Sequence, residues 1–263
     1  AAGVTATVGS ASQSGAINLS SVTGTIGAGA VSSLTLYSSG AVDVSGAIGT
    51  KIGIVTLTNS AGATFHGAVG SSSDLVSTVT LTATTGTVKF VDSLYATSLS
   101  NPASSFDLQF YGSSTQVVNF VTLLTTGTVY FGDLSTSIVD CVCTGGTADT
   151  LTFDRGISHA GTNVIAGNFT KTNLISCTGD CGINFSSGTS RFVGLPITLD
   201  FGALPMTFDN IVLGNGVTLT LGNGSAGTIT IGSIAGIAVA APLGDNLNCP
   251  SNIVINSTGT VSI

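Results

Sequence analysis

Phe65, Phe90, Phe110, Phe131 and Phe153 recur at steps of 25, 20, 21 and 22 residues, each inside a run that alternates apolar and polar side chains. A period of twenty-odd residues made only of short β-type segments is the mark of a solenoid, because each repeat is one coil that buries its apolar face only against its neighbours. The repeats are explicit. Gly-Ala-Val-Asp-Val-Ser-Gly-Ala-Ile-Gly at 40–49 returns 21 positions later as Ala-Gly-Ala-Thr-Phe-His-Gly-Ala-Val-Gly at 61–70, which sets Val44 over Phe65 and Ile48 over Val69. Leu34-Thr35-Leu36 returns as Val55-Thr56-Leu57, and Thr-Thr-Gly-Thr-Val-Lys-Phe at 84–90 returns as Thr-Thr-Gly-Thr-Val-Tyr-Phe at 125–131, two rungs on. Phe106-Asp107-Leu108-Gln109-Phe110 supplies the rung between them.

The expected fold is therefore all-β: a right-handed parallel β-helix with rungs of about 21 residues, roughly 12 of them, forming a rod on the order of 60 Å long at the strand spacing of a sheet. Alternation sends Leu36, Leu57, Val44 and Phe65 inward and leaves Thr35, Thr56 and Ser45 outside, and a slip of one residue would invert all of these choices. The five phenylalanines are expected to form one internal stack, with rings about 5 Å apart in adjacent rungs. The corners fall to glycine, of which there are 36 against five prolines, since proline would remove ladder donors. No run shows the three-and-four spacing of an amphipathic helix.

The chain reads as a single solenoid domain over 1–263, with one break in period. After Phe153 the next member of the stack is Phe185, a step of 32, and the interval holds Asp154, Arg155, His159, Lys171, Asp180 and two cysteines. An insertion is expected to project there, around 154–181. It reads either as a solvated loop that carries charges for solubility or as an excursion bearing a binding group. Asp154, Arg155 and His159 are the surface-site candidates, with an ion pair beside a surface histidine as the plainer reading. His66 replaces Ser45 on the outward phase and reads as an exposed face residue.

Charge excludes several classes. Only 17 residues are charged, none is Glu, and the net charge is −7, which argues against nucleic acid because phosphate binding needs a basic surface. Mean hydropathy is +0.57, yet no stretch of 18 apolar residues exists, so no helical membrane span is expected. A transmembrane β-barrel would carry aromatic girdles that four tyrosines do not supply. The twelve aspartates stand singly, which gives little to paired-carboxylate catalysis. No catalytic group, cofactor or metal site is expected. Cys-Val-Cys at 141–143 and the Cys177/Cys181 pair match no zinc spacing. In an extracellular setting Cys141, Cys143, Cys177 and Cys181 would instead supply at least one disulfide.

The blocks at 40–49 and 61–70 and the two Thr-Thr-Gly-Thr-Val-x-Phe copies resemble the passenger repeats of large bacterial surface proteins, the autotransporter and filamentous-haemagglutinin-like adhesins. The resemblance implies a secreted β-helical shaft displayed at the cell surface. The function expected from it is an extracellular structural or adhesive rod, not an enzyme, whose partners are surface glycans and proteins or other copies of itself. Both ends read as ordinary rung, around Val4 to Val8 and Val261 to Ile263, so end-to-end stacking into filaments is expected as one way of covering open strand edges. Two alternatives are carried: a carbohydrate-active β-helix enzyme with its cleft at 154–181, and an ice-binding face made by the outward threonines of Thr56-Leu57-Thr58, Thr80-Leu81-Thr82 and Thr218-Leu219-Thr220.

Overall fold

The computed structural model of the chain describes residues 3–24, 31–133, 137–139, 142–144, 149–171, 181–194, 196–225, 227–236 and 250–263. The chain passes alternately through two sheets, and every ladder within them is parallel. One sheet has 11 strands: Thr5–Gly9, Ser32–Tyr37, Ile52–Thr58, Val76–Thr82, Tyr95–Ser100, Ser114–Val117, Thr150–Phe153, Asn168–Thr170, Ile197–Asp200, Thr218–Ser225 and Asn252–Ser257. The other runs Ile17–Leu19, Val42–Val44, Ala63–Phe65, Gly86–Phe90, Phe106–Phe110, Val129–Phe131, Asn163–Ile165, Gly182–Phe192, Met206–Leu213, Ile229–Gly236 and Val261–Ser262, with Val121–Leu123 and Gly156–His159 paired beside this path. This is a parallel β-helix, about 50 Å tall at the spacing of hydrogen-bonded strands.

Its register follows the sequence repeats. Leu34, Thr35 and Leu36 pair with Val55, Thr56 and Leu57, Val44 pairs with Phe65, and Ile48 bridges Val69. Inward positions are buried and their neighbours are not, as in the alternation of Ser32–Tyr37 and Phe106–Phe110. Phe65, Phe90, Phe110 and Phe131 form the expected ladder, with centroids 5.1, 5.7 and 5.7 Å apart and rings within 13° of parallel. Offset stacking of this kind adds to burial.

Phe153 departs from expectation. It lies in the 11-stranded sheet, opposite Val117, and meets Phe110 and Phe131 edge-on at 6.5 and 6.0 Å. The column above Phe131 continues instead through Ile165, Phe192 and Leu213. Extra chain enters after Phe131, where Ser137–Val139 and Val142–Thr144 pair as an antiparallel two-stranded sheet. The 22-residue step from Phe131 to Phe153 therefore spans that hairpin and a change of sheet.

Within the interval 154–181, where an insertion is expected, the described residues up to 171 follow the coil. Gly156–His159, Asn163–Ile165 and Asn168–Thr170 are rung strands in register with Val121–Leu123, Val129–Phe131 and Thr150–Thr152. Ile157, Ile165 and Phe169 take the inward positions; Ile165 stands in register with Phe131, while Phe169 meets the Phe131 ring edge-on at 4.9 Å and Phe185 stacks on it at 6.2 Å. Residues 172–180 of that interval lie outside the described set.

Candidate functional site

The three charged candidates do not converge. Asp154 is 1 % exposed; its amide donates to the Val117 carbonyl, and its Oδ2 accepts from Gln116 Nε2 at 3.1 Å. Arg155 offers its carbonyl to the Gly182 amide, and its Nε is buried without a partner. His159, expected at the surface, is 3 % exposed. Its Nε2 donates to the Thr125 carbonyl at 3.0 Å, and its Nδ1 sits 2.9 Å from Asn163 Oδ1. The ring is buried because Gly156–His159 is a rung strand, flanked by Val121–Leu123 and Gly182–Phe192.

Around His159 the surface is concave. In two successive rungs a turn separates a pair of short strands: Leu124 to Thr128 between Val121–Leu123 and Val129–Phe131, then Ala160 to Thr162 between Gly156–His159 and Asn163–Ile165. In the next rung the two short strands merge into Gly182–Phe192, whose pairing with Met206–Leu213 shifts register between Phe185 and Thr189. Turn over turn, this corner leaves a groove of about 360 Å³.

Its walls are held by internal hydrogen bonds. Asn101 donates from Nδ2 to the Thr122 carbonyl, and its Oδ1 accepts from the Leu124 and Thr125 amides at 2.7 and 3.0 Å. Thr125 Oγ1 donates to the Ser104 carbonyl at 3.0 Å and accepts from the Gly127 amide. Gly188 has φ of +111°, and a Cβ there would stand 2.3 Å from the Gly161 carbonyl oxygen, so glycine alone lets this part of the third rung seat against the second.

Among the described residues the lining carries no carboxylate, ammonium or guanidinium, and His159 is its one ionisable side chain. Thr122, Ser158 and Asn184 stand in register along the rod, and the row continues through Thr207 and Thr230. Sequence reasoning missed this groove because it depends on which turns stack in adjacent rungs, and only the runs at 84–90 and 125–131 hinted at that alignment.

A second polar cluster lies on the outer face of the sheet that carries the phenylalanine ladder. Lys89, Gln109 and Tyr130 are neighbours in register, and Lys89 Nζ sits 4.6 Å from the centre of the Tyr111 ring. Burial pushes the Tyr111 phenol up, and the charges of Tyr130 and Asp133 add to the effect. Burial likewise pushes the Asp149 carboxyl up; the Asp133 amide, which donates to Asp149 Oδ2 at 2.8 Å, works against it, and the Asp133 charge adds to it. His66, exposed as expected, lies 3.0 Å from Asp43 of the preceding rung. Among the described residues no group of three His, Cys, Asp or Glu gathers that could hold a metal ion.

Of the cysteine candidates, Cys141 and Cys177 lie outside the described residues, Cys143 is described only as a strand residue, and Cys181 is disulfide-bonded. The outward threonines form real rows at one end of the rod: Thr7, Thr35, Thr56 and Thr80 are consecutive in register, with Tyr37, Thr58 and Thr82 beside them. Thr218 and Thr220 belong to the same sheet but stand apart, opposite Asn252 and Val254. No family model matches the chain, and neither a curated protein nor a solved structure matches it.

Proposed function

We propose that this chain is a structural and adhesive rod displayed outside the cell, a β-helical shaft of the kind found in bacterial surface adhesins. The observation that carries the reading is the pair of long parallel ladders that display uncharged, mostly hydroxyl-bearing outward rows, Thr7-Thr35-Thr56-Thr80 on one and Thr122-Ser158-Asn184-Thr207-Thr230 on the other. Such rows meet neutral surfaces, or other copies of the rod, over a long contact. The repeats at 40–49 and 61–70 support the same assignment, and a disulfide at Cys181 fits an oxidising compartment. A carbohydrate-processing enzyme has less support, since Asp154 and His159 are each buried against different partners.

Attachment of the purified rod to glycan-bearing cell surfaces tests the proposal. Asp154→Asn should attach as the parent does, and electron micrographs should show slender rods, single or end to end. Release of reducing sugar from a polysaccharide, lost in Asp154→Asn, would sink it. The threonine rows favour one second reading, binding to ice. Thermal hysteresis in the parent, lost in Thr56→Leu/Thr80→Leu, would establish that reading instead.

A further inference from the structure

We propose that the groove at His159 is a binding site for a neutral oligosaccharide lying along the rod axis. The inference deepens the adhesive reading by naming what one part of the surface takes.

Charge comes first. A charged ligand would enter a groove with no counter-charge among its described wall residues, and burying an unpaired charge is costly. That removes nucleic acids, which need cations against their phosphates, and acidic or basic peptides. Strand addition is excluded as well, because the backbones of Val121–Leu123, Gly156–His159 and Gly182–Phe192 already pair with one another, and the groove presents no open edge between them.

The groups that remain describe a ligand. Asn184 uses its Oδ1 to accept from the Ser186 amide, which leaves its Nδ2 as a donor. Thr122, Ser158, Ser186 and Ser187 add hydroxyls that both donate and accept. Leu124, half exposed on one wall, faces the groove with an apolar side chain. The ligand must therefore be neutral, must carry hydroxyls that donate and accept, and must offer small C–H patches between them. A pyranose has all three properties. Because Thr122, Ser158, Asn184, Thr207 and Thr230 follow one another at about 4.8 Å per rung, the site extends beyond one sugar and affinity should rise with chain length. His159 is a positioning residue: its nitrogens are turned to Thr125 and Asn163, and it fixes the wall that the sugars meet.

The test is calorimetric titration of the whole chain with neutral oligosaccharides of one to six units: β-1,4- and β-1,3-glucans, α-1,4-glucan, mannan and galactan series. Oligogalacturonate serves as the charged probe. The expected result is binding of at least one neutral series, with the hexamer about tenfold or more tighter than the dimer. Ser158→Trp, which fills the groove, should abolish it, while Thr35→Trp on the other sheet should not. Asn184→Ala should weaken it about threefold to tenfold, the loss of one polar contact. Both tryptophan variants should melt within about 2 °C of the parent.

The proposal is overturned if no neutral series binds, if oligogalacturonate binds more tightly, if affinity ignores length, or if binding survives Ser158→Trp. Cell-surface attachment that persists in Ser158→Trp removes the groove from adhesion and leaves the rod reading standing. Saccharide binding by a chain that attaches to no surface does the reverse.

Discussion

Phe110→Ala is the sharpest probe of the ladder. Phe110 is wholly buried, stacks on Phe90 and Phe131 at 5.7 Å each, and receives the edge of Phe153 at 6.5 Å. Removing a buried phenylalanine costs about 3–5 kcal/mol through lost transfer energy and the cavity left behind. Each stacked pair adds about 0.5–1.5 kcal/mol beyond burial, and both pairs are lost here. Collapse of the site is hindered as well, because the strands above and below are pinned by their ladders. The upper half of the range is therefore expected. Phe65, which stacks only on Phe90 and has Val44 below it, should fall in the lower half. For a chain of this size the Phe110→Ala loss corresponds to a fall in melting temperature on the order of 10 °C. Thermal and urea unfolding of both variants, followed by circular dichroism, checks the order as well as the size. A Phe110→Ala melt within error of the parent, or a larger loss at Phe65, would refute the stacking argument.

Three further outcomes are expected. Gly156 has φ of +111° and a Cβ there would stand 2.0 Å from the Gly182 carbonyl oxygen, whereas Gly224, at φ +71°, has nothing within 4 Å. Gly156→Ala should thus unfold the chain far below the melting point of Gly224→Ala, which bears only the backbone penalty of about 1–2 kcal/mol; similar melts would contradict the close approach. Asn101→Ala leaves the Thr122 carbonyl and the Leu124 and Thr125 amides without their partner, at a cost of about 1–3 kcal/mol. Amide exchange at Leu124 and Thr125 should rise with it, and unchanged exchange would count against the role. Asp149 binds its proton more tightly in the folded chain, since its carboxyl is raised above 3.8, chiefly by burial. Its contribution is then lost as pH rises through the window from 3.8 to the raised value. Asp149→Asn should accordingly gain on the parent in urea midpoint between acid and neutral pH; parallel curves would show that the carboxyl is not raised.

Much of the coil could be read in advance, because inward side chains in stacked rungs must resemble one another. Leu36 over Leu57 and Phe110 over Phe131 are the same residue type at the same phase, and the pairing follows. Periodicity does not say which sheet a residue belongs to. The inner faces of both sheets alternate in the same way, so Phe153 matched the ladder by spacing while lying across the core from it. The antiparallel pair of Ser137–Val139 and Val142–Thr144 was hidden for a related reason: the 22-residue step from Phe131 to Phe153 that contains it is about as long as a rung. The site was hidden more deeply. His159 looked like a surface residue because it follows Asp154 and Arg155 in the interval that breaks the period, yet what buries it are Thr125, 34 residues earlier, and the neighbouring strand of the next rung.

That the groove lies beside these irregularities has a physical basis. A uniform solenoid repeats one cross-section, and identical turns stacked on identical turns leave a surface that is ridged but shallow. Here the cross-section changes. In the early rungs a third inward column runs through Val22, Ile48, Val69 and Leu94. Past Leu94 the added strands Val121–Leu123 and Gly156–His159 appear, and their inward residues Val121 and Ile157 line up in register with Ile183 of Gly182–Phe192 to form a new column. Two different outlines cannot be superposed without a re-entrant corner where one gives way to the other. Asn101, Thr125 and His159 are the buried polar groups that hold this corner, each hydrogen-bonded to backbone from a neighbouring turn or rung. Such side chains are costly in a core unless paired, and these three are paired. The groove is thus built from the same ladder physics as the shaft, at the level where the repeat is least regular.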